Sequence, residues 1–289
     1  MVDQVPTATV ATLTGLYRYP VKSCRREPLR SAVVERWGLA GDRRWMLVDE
    51  TGTTLTARES PRLLLVVPQL TEDGLELTAP GLPPLRVPRP DGHALVDVNV
   101  WGDPFQAAPT SDEVAAWFGE VTGRPTRLVY LDDPSRRGTD PDRSLPGDVV
   151  SFADGYPVLL ASEESLAALN GWIADGPRAA EGPLPMRRFR PNLVVAGAPA
   201  WAEDAWRRVR IGTTTFRAVK ACDRCVLTMI DPETALKTKE PLFSLARYRK
   251  WDHKTWFAVN LIPDNPGGTL RVGNSLQVLE QVDDPDPQR

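Results

Sequence analysis

Proline and glycine interrupt this chain so often that few stretches have room for a long helix. Proline occurs 28 times and glycine 21 times in 289 residues, and proline lacks the backbone donor that helix interiors and central strands require. Between the breaks lie short runs rich in aliphatic and β-branched residues: "LTGLYRYPVKS", "RWMLVDE", "TTLTAR", "LLLVVPQL" and "GLELTAP". They read as strands separated by turns. Residues 12–105 therefore read as a β-dominated unit, a barrel or curled sheet.

Helical signals begin only after that unit. "TSDEVAAWFGEVTG" offers Ser111 or Asp112 as an N-cap, followed by Val114, Trp117, Phe118 and Val121 on one face. "SEESLAALNGWI" repeats the pattern, with Ser162 as cap and Leu166, Leu169 and Ile173 aligned; "EPLFSLARYRKW" is a third candidate. The expected fold class is α+β and β-dominated. A first β-barrel-like domain spans 1–105, a second β-barrel domain with a few flanking helices spans 106–282, and 283–289 is a disordered tail. The polar loop Leu131 to Asp148 is expected to order over a ligand and gate a pocket.

Charged residues make up 25% and the net charge is -3, so no nucleic acid is expected as a partner. The start has no basic region ahead of an apolar core, and the longest strongly apolar run is "LLLVV". A cytoplasmic protein without a membrane partner is the expectation. The three cysteines argue against a disulfide scaffold and suit a reducing compartment.

Two of those cysteines form the motif "CDRC", Cys222 to Cys225. A thioredoxin-type switch needs its first thiolate at a helix N-terminus, whereas "VLTMID" after Cys225 reads as a strand. A zinc site needs four ligands, and only Cys24, His93 and His253 remain, without ligand spacing. An iron–sulfur cluster held by four thiolates exceeds the cysteine count. Two packed thiols, or one core thiol and one facing a cleft, stay open, because alternation sends Cys222 and Cys225 to opposite faces of a strand. Cys225, next to Arg224, is the better thiolate candidate.

Cations recur beside strand ends in "YPVKSCRR", "GDRRW", "TARESPR", "MRRFRPN" and "KACDRC". If the fold gathers them, they form a local pocket for phosphate or carboxylate. Asn192 adds an amide suited to a heterocycle edge. Asp154 in "SFADGYP" is either a turn former or an acid at a site.

In order along nearly the whole chain, "LYRYPVKSC", "GDRRWMLVDETGTTLTARESPRL", "LLASEESLAALN", "FRPNLVVAG", "CDRCVLTMIDPET", "KEPLFSLARYR" and "GTLRVGNSLQVL" resemble the MOSC-domain molybdenum enzymes, in particular the amidoxime-reducing components. The resemblance implies an N-terminal MOSC-associated barrel followed by a MOSC domain. It implies a molybdenum cofactor (molybdopterin) whose metal takes Cys225 as protein thiolate. Lys22 and Ser23 would meet the pterin phosphate end, with Arg43, Arg58, Arg190, Asn192 and Arg224 as further cofactor contacts. Asp154 matches an acidic position near the substrate. Asp223 departs from the serine of eukaryotic members and would bring a negative charge towards the cofactor. The implied activity is reduction of N-hydroxylated small molecules such as amidoximes and hydroxylamines. Electrons would come from a separate protein: a ferredoxin, a flavodoxin or a b-type cytochrome with its reductase. The alternatives are a non-catalytic carrier of molybdenum cofactor or sulfur, and a zinc or metal-free ligand-binding β-domain.

Overall fold

A computed structural model of the protein describes residues 9–283; all but the first residue of the expected disordered tail lies outside them. Seven strands of the nine-stranded larger sheet form its barrel: β1 (Thr9–Arg18), β2 (Val158–Ser162), β3 (Leu193–Ala196), β4 (Trp206–Ile211), β5 (Thr214–Asp223), β6 (Lys254–Pro263) and β7 (Ser275–Gln281). They run in the order β2-β3-β1-β7-β4-β5-β6, and β6 pairs back onto β2 to close a barrel. Closure removes the unpaired edges that an open sheet would expose. Among the described residues there are three α-helices: α1 (Asp112–Thr122), α2 (Glu163–Ala174) and α3 (Leu242–Tyr248). None is long and apolar enough to cross a membrane.

Inward side chains of all seven strands meet in one buried cluster: Leu13 and Leu16, Leu160, Leu193 and Val195, Val209 and Ile211, Phe216, Leu261 and Leu276. Each such side chain stabilises the barrel by about 1.5–3 kcal/mol on burial. A register shift between Leu13 and Gly15 lets both Leu13 and Leu16 face inward despite their odd spacing. β2 and β3 are parallel, and α2 makes the crossover that parallel neighbours require. Ser162 caps α2 as its sequence suggests, accepting from the Ser165 amide at 3.3 Å.

The second unit is a half-barrel. A five-stranded sheet runs Val96–Val100, Asp103–Pro109, Arg127–Tyr130, Trp45–Val48, Thr54–Leu55. Beside it lies a meander of Val67–Leu70, Gly74–Ala79 and Leu82–Pro88. Val114, Trp117, Phe118 and Val121 of α1 join Trp45, Leu64 and Leu75 in its core. Gly123 at φ 72 closes that helix, a conformation glycine takes without strain.

The sheets do not part at residue 105. The first strand, β1, belongs to the barrel, between β3 and β7, while Arg127–Tyr130 pairs with Trp45–Val48 in the half-barrel. Three expected strands also differ. "LTGLYRYPVKS" leaves the sheet after Arg18, where Pro20 removes a ladder donor. "LLLVV" begins in a 3-10 turn, Pro61–Leu65, opened by its proline. "VLTMID" is a 3-10 turn over Val226–Met229, held by Thr228, whose amide and hydroxyl both donate to the Cys225 carbonyl at 3.1 and 2.9 Å.

Candidate functional site

The chain crosses between barrel and half-barrel immediately after β1. Val21 bridges to Trp45, and the Lys22 amide donates to the Trp45 carbonyl at 2.8 Å. The Phe152 amide likewise donates to the Arg43 carbonyl at 2.9 Å. Along this seam opens a cavity of about 410 Å³, within the range of small-molecule and cofactor sites. Lys22, Ser23, Arg43, Arg58, Asp154, Arg190, Asn192, Asp223, Arg224 and Cys225, the ten residues singled out from the sequence, all line it. With Arg188 and Lys220, seven cationic side chains face two carboxylates there. The pocket is built for an anion within a chain of net negative charge.

Ser23, Arg43 and Arg190 hold left-handed backbone at φ 71, 46 and 56. That conformation costs an ordinary residue energy and concentrates at functional sites. The Arg43 and Arg190 guanidinium carbons sit 4.5 and 4.3 Å from the centroid of the Tyr19 ring. Arg43 Nη1 donates to Asp42 Oδ2 at 2.6 Å and to Asn192 Oδ1 at 3.2 Å. Arg190 Nη2 donates to the Cys24 carbonyl at 2.9 Å. Burial pushes the Tyr19 hydroxyl above its ordinary value, so it stays neutral under both cations.

Asn192, at the cavity wall, is held at both ends of its amide. Its Oδ1 also accepts from the Leu159 amide at 3.2 Å, and its Nδ2 donates to the Tyr17 carbonyl at 3.2 Å. The side chain fastens β1, β2 and Arg43 together at the cavity wall.

Lys22 is buried at one end of the cavity. Its ammonium donates to the Phe152 carbonyl at 2.7 Å and to the Asp154 carboxylate. Side-chain exposure is 5% for Lys22 and 61% for Asp154, so the carboxylate looks into the open cavity. Burial depresses Lys22 to about 8 against the opposing pull of Asp154. Burial works the other way on Asp154, but the charge and hydrogen bond of Lys22, then Arg58, outweigh it and hold the carboxyl well below the usual range. Trp101 Nε1 donates at 3.2 Å to Asp154 Oδ1, the oxygen that Lys22 also engages, and Arg58 lies 4.4 Å over the Trp101 ring. Asp154 is therefore held by partners from both units instead of forming a local turn.

Both cysteines of the motif face this cavity. The alternation argument fails because β5 ends at Asp223, ahead of Cys225. Arg224 leans back: its Nη1 donates to Cys222 Sγ at 2.8 Å and its Nη2 to the Phe189 carbonyl at 2.8 Å. Burial nonetheless pushes the Cys222 thiol upward, so it stays protonated at neutral pH. Cys225, half-buried, is the N-cap of the 3-10 turn Val226–Met229. Asp223 pairs with Lys220 at 3.6 Å. Cys24 is core: it is fully buried among Val21, Leu47 and Leu64, and burial pushes its thiol up to about 12. No group of three or more His, Cys, Asp or Glu side chains placed to hold a metal ion occurs among the described residues.

Sequence reasoning missed Trp101, Tyr156 and Asn260, which line the cavity from a hairpin turn, a loop and strand β6. It also missed Arg137, which lies behind the wall. Buried in the loop Leu131 to Asp148, Arg137 donates to the carbonyls of Ser151, Ala153 and Asp154 at 2.7, 2.5 and 3.0 Å and to Asp103 Oδ2 at 3.1 Å. No residue of that loop lines the cavity. It props the segment that carries Asp154 instead of covering the opening.

The comparisons agree with this two-part arrangement. The MOSC N-terminal beta barrel domain matches residues 10–125 and the MOSC domain matches residues 147–277. Mitochondrial amidoxime-reducing component 1 of Homo sapiens is 33% identical, over 94% of this chain and 84% of that protein. Mitochondrial amidoxime reducing component 2 of Rattus norvegicus is 34% identical, over 92% of this chain and 83% of that one. With its seven-stranded barrel, its half-barrel and a shared cation-lined seam, the chain belongs to the MOSC family that includes the mitochondrial amidoxime-reducing components.

Proposed function

We propose that the chain is a molybdenum-cofactor-dependent oxidoreductase that reduces N-hydroxylated compounds. The reaction takes R–NHOH, two electrons and two protons to R–NH2 and water. One observation carries the reading: the half-buried Cys225 thiol faces a cavity walled by cations, in a chain a third identical to proteins named for amidoxime reduction. The residues present fit an anionic, sulfur-bound group. Arg58, Arg188 and Arg224 each leave a buried Nε without a partner, donors that a bound anion would satisfy. A thiolate is the ligand class a soft transition-metal centre accepts.

When bound, the cofactor supplies two-electron oxygen-atom transfer, which protein side chains alone do not. Cys225 would hold the metal, while Ser23, Arg43 and Arg190, at the seam, would hold the anionic end of the pterin. Lys22 and Asp154 do the acid–base work. Their shared hydrogen bond keeps a proton beside the cavity, and a lysine brought down to about 8 gives it up near neutral pH far more readily than an ordinary one. Trp101, 47% exposed, offers a flat apolar ring beside Asp154 for a planar substrate. The protein works in a reducing cytosolic setting, where its three free cysteines persist.

The test is turnover of benzamidoxime, a hydroxylamine and an N-hydroxylated base by cofactor-loaded protein, with chemically reduced viologen as donor. Reduction of at least one compound by wild type, falling to background in Cys225→Ser, is expected. Loaded wild-type protein that reduces none of them overturns the enzyme reading and leaves a carrier of cofactor or sulfur.

A further inference from the structure

After Cys225 the chain leaves the barrel and crosses the seam. The 3-10 turn Val226–Met229 runs into a short hairpin in which Ile230 bridges to Lys237. The Asp231 amide donates to the Leu236 carbonyl at 2.8 Å, and the Thr238 amide to the Met229 carbonyl at 2.9 Å. Ile230, at the base, is buried in the half-barrel core with Leu47 and Leu64. Asp231 Oδ1 orders the tip by accepting the amides of Glu233 and Thr234 at 2.8 and 3.1 Å.

At that tip, Glu233 reaches two guanidiniums from distant parts of the chain. Its Oε2 lies 3.1 Å from Arg25 Nη2 and its Oε1 lies 3.3 Å from Arg187 Nε. Arg25 also donates to the Pro232 carbonyl at 3.2 Å. Arg25 stands two residues after Ser23, and its amide donates to the Val66 carbonyl of the half-barrel at 2.9 Å. Arg187 belongs to the 3-10 turn Met186–Phe189, whose C-cap is Arg190. Ser23 and Arg190 both line the cavity, whereas Glu233 does not. One carboxylate therefore ties the segment that carries Ser23 to the turn that carries Arg190.

Arg188 connects this hairpin to the cavity itself. Its side chain is buried and lines the cavity. Nη2 donates to Asp231 Oδ2 at 3.1 Å and Nη1 to Thr238 Oγ1 at 3.3 Å, so one guanidinium holds both legs of the hairpin. Its Nε is buried and has no partner. An anion that takes this Nε fixes the guanidinium on which the hairpin rests. Anion binding and hairpin docking then strengthen each other to the same degree. Resting on the reading that the cavity takes an anionic cofactor, we propose that the hairpin Ile230–Thr238 is a clasp that retains it, with Glu233 as the catch and Arg188 as the link. Glu233 is a positioning residue: it acts by keeping the segments of Ser23 and Arg190 together. Without its charge, Arg25 and Arg187 lose the carboxylate between them, and two like charges at the tip favour opening.

The test follows the loss of molybdopterin from the full chain, loaded in a competent host, as wild type, Glu233→Gln and Glu233→Asp. Released pterin is measured by fluorescence after oxidation, at low and high salt. At low salt, release about fivefold or more faster from Glu233→Gln than from wild type is expected, with Glu233→Asp between them. The Glu233 side chain is 45% exposed, so salt screens its pairs, speeds release from wild type and narrows the gap. Circular dichroism confirms that all three fold. Equal release from wild type and Glu233→Gln at low salt, or a gap that salt leaves unchanged, overturns the proposal. Hydrogen exchange over residues 230–238 of cofactor-free protein, with and without inorganic pyrophosphate, reads the clasp separately. Slower exchange with pyrophosphate is expected, and less so in Glu233→Gln. Wild type that carries no molybdopterin refutes the cofactor reading; exchange slowed by pyrophosphate then still supports the clasp, and unchanged exchange overturns it.

Discussion

Lys22 and Asp154 form one unit, and each sets the proton affinity of the other. Burial lowers Lys22, and the Asp154 carboxylate opposes that by favouring the charged ammonium. In Asp154→Asn the opposition vanishes and burial acts nearly alone, so Lys22 loses its proton at lower pH than in wild type. If the ammonium is needed for turnover, the alkaline limb of the rate profile lies near 8 in wild type. It then moves towards acid by about one unit or more in Asp154→Asn. A limb that stays in place, in a variant still active enough to measure, assigns it to another group. At this scale the sequence was informative about which residues gather and poor about what each touches. Charged residues beside turns mark the seam because strand ends are where chains change direction. Asn192 shows the other half: nothing in "RFRPN" reveals that both ends of its amide are taken by backbone and Arg43.

Regular elements were legible where one periodicity ran long enough to bury a face. α1 and α2 carry theirs over three turns, and their caps lie at Ser111 and Ser162. Ser162→Ala removes the acceptor for the Ser165 amide, with an expected loss of about 1 kcal/mol in chemical denaturation. Short turns were illegible for the complementary reason. "VLTMID" has the residues of a strand, but Thr228 ties its own amide and hydroxyl back to Cys225, and no periodicity develops over four residues. The loop Leu131 to Asp148 looked mobile from its polarity, yet Arg137 buries a guanidinium there against three carbonyls and a carboxylate. Arg137→Met leaves those carbonyls without a donor. It should cost roughly 2–4 kcal/mol by thermal or denaturant unfolding and make the loop more sensitive to protease. A loop cut at the wild-type rate in that variant argues against the strut.

For the molecule as a whole, the decisive feature is that the half-barrel is inserted into the barrel, whose first and last described strands, β1 and β7, pair with each other. β1 enters the barrel before the half-barrel is made, and the barrel closes only when β6 pairs with β2. The first helical signals after residue 105 give no hint of this, because pairings between distant segments leave no local pattern. The crossing places Lys22 and Ser23 on the seam, opposite the turn that presents Cys225, and so creates the cavity. The central claim is that this cavity holds a metal through Cys225 and not through Cys222, which Arg224 already engages. Molybdenum should be measured in wild type, Cys222→Ser and Cys225→Ser produced in a host that makes molybdopterin, with circular dichroism to confirm folding. About one molybdenum per chain is expected in wild type and in Cys222→Ser, with loss of the metal or of all turnover in Cys225→Ser. Folded wild-type protein without molybdenum, or a Cys225→Ser variant that keeps both metal and activity, would contradict the account.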